Sequence, residues 1–391
     1  VHVIQRKVFM PPKQTQQELA RTSIVSWLDA GRYPAGSKLP TIAQMAKELG
    51  MKQMPIRMAV QMLVKENLLE TRNGVGVFVI DPQAPAGRIM ILVRSVQSLD
   101  HSRELEASFL LGELYEGILA TIRQHNLTPV VCIESEFDNN LAAITSRFHE
   151  ENCDGVILMD IDCEMALALA IGLGPHRVVS ADFSSAISSL NEVKMRVGSG
   201  IHDILGHAFD RGHRHFACLY ADVLYMQWSH VQRFQAFVQF CNERSLQMTP
   251  GCLIETDGSS ITAYRATRKL LQANPHITAI FACNDVRAIG AMHAIEDMGL
   301  RVGHDVSVIG FDDMPEAAQA NLATVRVPRK QIGSQCVELL LRCLDRKSIA
   351  QRSILSTNAV LRSSLGPAPT ITDTSHARSQ ARATSDVSIQ K

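Results

Sequence analysis

The sequence predicts an α/β protein: an N-terminal module of three helices and a β-hairpin, followed by a two-lobed, doubly wound α/β body. Three observations carry this prediction. The first 80 residues alternate helix-period apolar stripes with Gly/Pro stops and end on a Gly-containing turn between two short apolar runs. From Arg88 onward, buried-strand runs of four to six residues alternate with amphipathic helical stretches, the grammar of parallel sheets covered on both faces. A chain of 391 residues also exceeds what a single typical core organises.

Within residues 1–80, positions 16–30 read as a helix with Leu19, Ile24, Val25 and Leu28 near helical spacing, stopped by Gly31 and Pro34-Ala-Gly36. A second helix is expected from about Thr41, burying Ile42, Met45, Ala46 and Leu49 and ending at Gly50. A third is expected from about Pro55, a residue tolerated in a first turn because its missing N–H would be unpaired there anyway. Its inward stripe is Ile56, Val60, Leu63 and Val64, which turns Met54, Arg57, Met58 and Gln61 outward. Arg72-Asn-Gly74 is a turn between Leu68–Glu70 and Val75–Ile80. Residues 81–87, Asp-Pro-Gln-Ala-Pro-Ala-Gly, read as a linker.

In the body, buried strands are expected at Ile89–Val93, Pro129–Ile133, Gly155–Met159, Val178–Ala181, Phe216–Tyr220, Ala279–Ala282 and Val306–Phe311. Helices are expected at Ala107–His125, Ser199–Arg211 and Val286–Met298, among others. About six strands per sheet would give two lobes: one of about 88–184 and 316–346, the other of about 185–315 and 347–364. Residues 365–391, Ser/Thr/Ala/Arg-rich with almost no large apolar side chains, are expected to be a disordered tail.

Formal net charge is zero, yet residues 1–80 hold eleven Lys/Arg against five acids, leaving +6 there and −6 in the remainder. Such asymmetry favours a basic, nucleic-acid-facing module on a mildly acidic body. The nine cysteines are scattered and never spaced Cys-x-x-Cys, which reads as buried free thiols in a reducing compartment. No apolar run reaches the roughly 18–20 residues of a membrane span, and no secretory signal pattern opens the sequence, so a cytoplasmic protein is expected, with no membrane partner. His213 and His215 lack further ligands at metal spacing, and Asp312-Asp313, with no nucleophile pattern nearby, reads as a strand-end turn. The expectation is therefore a protein without catalytic residues, metal or cofactor.

Gly36-Ser-Lys-Leu-Pro-Thr41, Met51-Lys-Gln-Met-Pro-Ile-Arg57 and Asn73-Gly-Val-Gly-Val-Phe-Val79 together resemble the winged helix-turn-helix of GntR-type regulators. Helix-turn-helix recognition sends the outer face of one helix into the major groove, with phosphate contacts from loops and helix starts. On that basis Lys38, Thr41, Lys52, Gln53, Met54, Arg57, Gln61, Asn73, Gly74 and Gly76 form the candidate DNA surface. Arg can fork onto guanine or phosphate, Gln can pair with adenine, and glycines let a wing tip run close to a minor groove. The family has Ser-Arg where this chain has Lys52-Gln53, and Thr where it has Pro55.

Ala282-Cys-Asn-Asp-Val-Arg-Ala-Ile-Gly290 and Val306-Ser-Val-Ile-Gly-Phe-Asp-Asp313 resemble the LacI/GalR-type sensor, a periplasmic-binding-protein-like domain. So do Arg211-Gly-His-Arg-His-Phe216, Arg233-Phe-Gln-Ala-Phe237, Leu322-Ala-Thr-Val-Arg-Val-Pro328 and Val360-Leu-Arg-Ser-Ser364. The resemblance implies two lobes joined by three crossovers, a cleft for a small-molecule effector, and a homodimer. Arg233 and Asp285 occupy the family's ligand-contact positions, with Asp285 also suited to cap the helix over Val286–Met298. Phe109, Phe183 and Trp228 are candidates for stacking on a sugar face. Met195-Arg196 replaces the family's Asp-Asn pair. A GntR-type head on a LacI-type body resembles the arabinose-type repressors, which implies an operator-binding repressor of carbohydrate-use genes. The competing classes are a sugar-binding protein of a transport system and an enzyme on the same α/β body.

Overall fold

The computed structural model describes residues 15–66, 68–72, 75–80, 87–94, 101–138, 140–181, 190–221, 228–246, 248, 251–346 and 351–369, with the backbone alone at 72, 101–108, 221, 228, 229 and 346. The chain divides between Ala86 and Gly87 into two compact units. The expected linker at 81–87 lies outside the described residues up to Ala86.

In the first unit, α1 (Gln16–Asp29) opens on a capping box between Thr15 and Glu18. A second capping box, Thr41 with Gln44, opens α2 (Ile42–Leu49), and Gly50 ends it in the left-handed region at φ 63°. Helix α3 spans Gln53–Lys65, starting two residues before the expected Pro55, which sits within the first turn. Its inward stripe is Ile56, Ala59, Val60 and Leu63; Val64 is only half-buried. These residues close a core with Ala20, Ile24, Leu39, Met45, Leu69 and Val79. Strands β1 (Leu69–Arg72) and β2 (Gly76–Val79) form an antiparallel hairpin. Ser37–Leu39 runs along its far edge: Leu39 N–H donates to Val77 O (2.8 Å) and Val79 N–H to Ser37 O (2.9 Å).

In the second unit come β3 (Arg88–Val93), α4 (His101–Gln124), β4 (Thr128–Ile133), α5 (Leu141–Glu150), β5 (Gly155–Met159), α6 (Cys163–Leu173), β6 (Val178–Ala181) and β7 (Asn191–Arg196). These are followed by α7 (Val197–Asp210), β8 (Phe216–Ala221), α8 (Trp228–Glu243), β9 (Leu253–Thr256), α9 (Ser260–Ala273), β10 (Ala279–Ala282) and α10 (Asp285–Asp297). The chain closes with β11 (Ser307–Ile309), α11 (Pro315–Gln319), β12 (Thr324–Arg326), α12 (Arg329–Arg346), β13 (Arg352–Ser356) and β14 (Asn358–Val360). One parallel sheet has the order β13-β7-β6-β5-β3-β4 and a second, also parallel, has β11-β10-β8-β9. Antiparallel β12 and β14 form a separate two-stranded strip.

The sheets correct the expected lobe boundary. Strand β7, expected in the second lobe, pairs with β6, and β13 pairs with β7, so the first sheet reaches Arg196 and reclaims Arg352–Ser356. The second sheet has four strands among the described residues rather than about six. Strand β7 escaped the sequence reading because Asn-Glu-Val-Lys-Met-Arg looks like a surface segment. Its Glu192 is nevertheless fully buried, within 3.1 Å of Lys194 Nζ and 3.4 Å of Arg352 Nε.

The tail also begins later than expected. Leu365 is buried in the core, Gly366 N–H donates to Ser307 Oγ (3.1 Å), and Ala368 N–H donates to Arg211 O (2.9 Å). His213 fastens the same segment. Its Nε2 lies 3.1 Å from Gly366 O, which can only accept, so Nε2 carries the proton and Nδ1 accepts from Thr278 Oγ1 at 2.9 Å. Residues 370–391 lie outside the described ones.

Helices α4 and α12 meet backbone to backbone. A Cβ at Gly117 would overlap the Lys330 carbonyl, and one at Gly333 the Leu114 carbonyl. Eight of the nine cysteines are buried free thiols and Cys163 is partly exposed. Burial pushes Cys153 up to about 11 and Cys241 up to about 12. No helix among the described residues is long and apolar enough to cross a membrane.

Candidate nucleic-acid interface and ligand site

The outward face of α3 carries the side chains expected there: Gln53, Met54, Arg57, Met58 and Gln61 are all exposed. Lys52 precedes the helix at the N-cap in extended conformation, with its side chain exposed. Arg21 and Arg32 of the same unit are ion-paired with Glu66 and Glu48, whereas Lys38, Lys52 and Arg57 form no ion pair among the described residues. Unpaired cations around a helix start are the electrostatic requirement for a phosphate backbone.

Lys38 is positioned by the wing. Its backbone bridges Phe78, and its stem lies over Gly76, where an added Cβ would meet Lys38 Cε at 2.6 Å. With φ 142°, Gly76 also holds a backbone conformation that a side chain would strain. Thr41 is exposed, but its hydroxyl is occupied in the α2 capping box, within 2.9 Å of Gln44 Oε1. Asn73 and Gly74 lie outside the described residues.

In the second unit, Arg233 and Asp285 come together beyond the carboxyl ends of β10 and β11, but neither is open. Arg233 is 3% exposed and donates to Cys283 O at 2.7 Å and to both carboxylate oxygens of Asp312 at 3.0 Å. Its guanidinium stacks 4.0 Å over the Phe311 ring. Asp312 also accepts from Arg329 at 2.6 Å, and Arg329 lies 4.0 Å from Glu113 on α4. One buried carboxylate thus joins two guanidinium groups, one from α8 and one from the start of α12.

Asp285 is fully buried. It accepts from Met314 N–H (2.8 Å) and Thr324 Oγ1–H (2.6 Å). Burial, and then the nearby Asp312 charge, hold its carboxyl well above the usual range. The helix cap expected of Asp285 falls instead on Asn284, whose Oδ1 accepts from Arg287 N–H at 3.0 Å; α10 already begins at Asp285.

Sequence reasoning missed Asp312 as the partner of Arg233, reading Asp312-Asp313 only as a strand-end turn. Positive φ values at both, 115° and 57°, support the turn. Asp313 in turn binds Arg326 and Arg362. Phe109 is half-buried on α4; Trp228 starts α8 with its side chain outside the described ones, and Phe183 is outside them altogether. The His215 ring packs edge-on against His276 at 5.1 Å, and no group of three or more metal-ligating side chains occurs among the described residues.

Residues 16–79 match the family of bacterial regulatory proteins, gntR family, and residues 205–365 match the periplasmic binding protein-like domain. A relative is the HTH-type transcriptional regulator MalR of Clostridium butyricum, 35% identical over 134 residues, 34% of this chain and 40% of that protein. The HTH-type transcriptional repressor PurR of Vibrio cholerae is 24% identical over 250 residues, covering 63% of this chain and 73% of the relative. Among solved structures, a LacI-family regulatory protein from Chloroflexus aggregans superposes with TM-score 0.62 at 24% identity, over 71% of this chain and 98% of its own. A complex of the transcriptional regulator CelR with cellobiose gives TM-score 0.60 at 17% identity, over 83% and 100%. The chain therefore joins a gntR-family winged helix-turn-helix head to a periplasmic-binding-protein-like body with the fold of LacI-family regulators.

Proposed function

We propose that this protein is a cytoplasmic, homodimeric transcriptional repressor whose winged head binds operator DNA and whose two-lobed body binds a small-molecule effector. The observation that carries the reading is the joining, in one chain, of a DNA-reading head with unpaired surface cations to a ligand-binding type of body. An effector changes operator affinity only through its different affinities for two conformations of the body. Asp312, which ties Arg233 to Arg329, is the proposed point at which the two conformations differ.

A sugar or sugar derivative fits the body best, given the cellobiose complex among the structural relatives. Arg233 and Asp285 are the proposed polar contacts and Phe109, Phe183 and Trp228 the proposed stacking surfaces. In the conformation described, Arg233 and Asp285 are held by internal partners, so an effector would exchange those hydrogen bonds for its own. Lys38, Thr41, Lys52, Gln53, Met54, Arg57, Gln61, Asn73, Gly74 and Gly76 are the proposed DNA contacts. A transport receptor has no use for the head, which also favours this reading over an enzyme on the same body.

The test is selection of bound duplexes from genomic fragments, followed by a thermal-shift screen of the protein against a carbohydrate panel with and without the selected duplex. A specific ligand raises the midpoint by mass action, and an effector shifts operator affinity as well. Sequence-independent DNA binding, or ligands that stabilise the body without altering operator affinity, would refute the proposal.

A further inference from the structure

The outward face of α3 holds two large apolar side chains in water. Met54 is 65% exposed and Met58 42% exposed, while the residues around them on this face are polar. At 100° per residue the outward arc runs Gln53, Arg57, Gln61, Met54, Met58 within roughly 140°. Ile56, Ala59, Val60 and Leu63 fill the opposite side. The two methionines, four residues apart, therefore form one stripe beside an Arg57–Gln61 stripe. Neither methionine belongs to the core of the head or to the partly buried residues packed on it.

The surroundings settle which partner such a stripe suits. Lys52 stands at the helix start, Arg57 next to the stripe, and Lys38 on the wing, all without ion pairs among the described residues. This charge pattern complements a phosphate backbone on either side of a groove. The major groove offers one apolar group at its base edges, the 5-methyl of thymine, while guanine offers the N7 and O6 acceptors that an Arg fork takes. Methionine is unbranched and polarisable, and settles against a methyl without a demanding geometry. Cytosine would instead present an N4 donor that a thioether pairs with poorly.

We propose that Met54 and Met58 are specificity-determining residues that pack on thymine methyl groups beside a guanine held by Arg57. The head then selects half-sites in which guanine and thymines adjoin on one face of the major groove. The inference rests on the reading of α3 as the groove-entering helix and extends it to the class of sequence read.

The test uses the full chain and duplexes selected from a random pool. Single thymines in the selected site are replaced by deoxyuridine, which removes one methyl and leaves base pairing and groove hydrogen-bonding groups intact. Loss of each contacted methyl is expected to weaken binding about fourfold. Met54→Ala and Met58→Ala, both exposed and checked for folding by circular dichroism, should each abolish the uracil penalty at one position while keeping the guanine preference. Sequence-selective binding with uracil tolerated throughout overturns this inference alone, as does an unchanged uracil penalty in both variants. Altered self-association of the variants without any uracil effect overturns it in favour of a protein contact. Failure to select any sequence overturns the DNA-reading role together with it.

Discussion

Replacing Asp312 by asparagine removes the charge, and one of the two accepting oxygens, that tie Arg233 to Arg329. The carboxylate is fully buried and binds Arg233 at 3.0 Å and Arg329 at 2.6 Å, and both guanidinium groups are themselves about 95% buried. Asparagine keeps the volume and tolerates a positive φ better than most residues, so the loss of the charge and of one accepting oxygen dominates. Removing one partner of a buried pair leaves an uncompensated charge and costs about 3–5 kcal/mol. For a unit of this size that is a fall in midpoint temperature of roughly 5–8 °C. The control is Arg326→Ala. Arg326 pairs with Asp313 but its side chain is 59% exposed, so screening limits its loss to below about 1 kcal/mol. Differential scanning calorimetry of the full chain reads the body's transition in both variants. A D312N midpoint within a degree of wild type, or an R326A loss of equal size, would refute the reasoning, because burial would then not decide the strength of these pairs.

Five further outcomes are expected. Arg57→Ala should weaken operator binding by about 1–3 kcal/mol if the fork reads a base, and Lys52→Ala should flatten the salt dependence by about one unit of slope, both measured by titrating a labelled duplex. Thr41→Ala removes a capping box and should destabilise the head by about 1 kcal/mol, seen as an earlier urea transition of that unit. Gly333→Ala should cost at least about 1–3 kcal/mol, since its methyl would overlap a helix backbone that has no room to give; an unchanged midpoint would show that α4 and α12 can separate freely. Burial holds the His213 imidazole below its ordinary value, so the unfolded chain takes up its proton first as pH falls. The stabilisation it represents is complete above about pH 6.5 and is lost as pH drops from there through the folded value. His213→Gln should flatten this part of the midpoint-versus-pH curve below about pH 6.5.

Much of this architecture was legible because burial and composition agree. Strands β3, β5, β6 and β10 are dominated by buried Val, Ile, Leu, Met, Phe and Ala, and they announce themselves. The head was legible for the same reason, its apolar stripes ending at Gly31 and Gly50, both with positive φ. Strand β7 was hidden because its charged residues find buried or surface partners 160 positions away, at Arg352. Strands β12 and β14, three residues each, are too short to leave a periodicity. For the proposed ligand contacts, the sequence does not reveal that they are satisfied internally. Arg233 and Asp312 lie 79 residues apart, and nothing local in either segment reveals that they satisfy one another. The same holds for the chain end, where a buried His213 and Ser307 hold Gly366 although Gly-Pro-Ala-Pro carries no strand or helix signal.

The glycine contact between α4 and α12 has a mechanical meaning. Side chains interposed between helices can change rotamer and absorb a small displacement, but two backbones in contact leave nothing soft between them. Helix α12 begins at Arg329, which grips Asp312, and Asp312 grips α8 through Arg233. A rotation about that carboxylate would therefore enter α12 at its first residue and reach α4 almost undamped. The two helices would travel as a single lever whose fulcrum is Asp312.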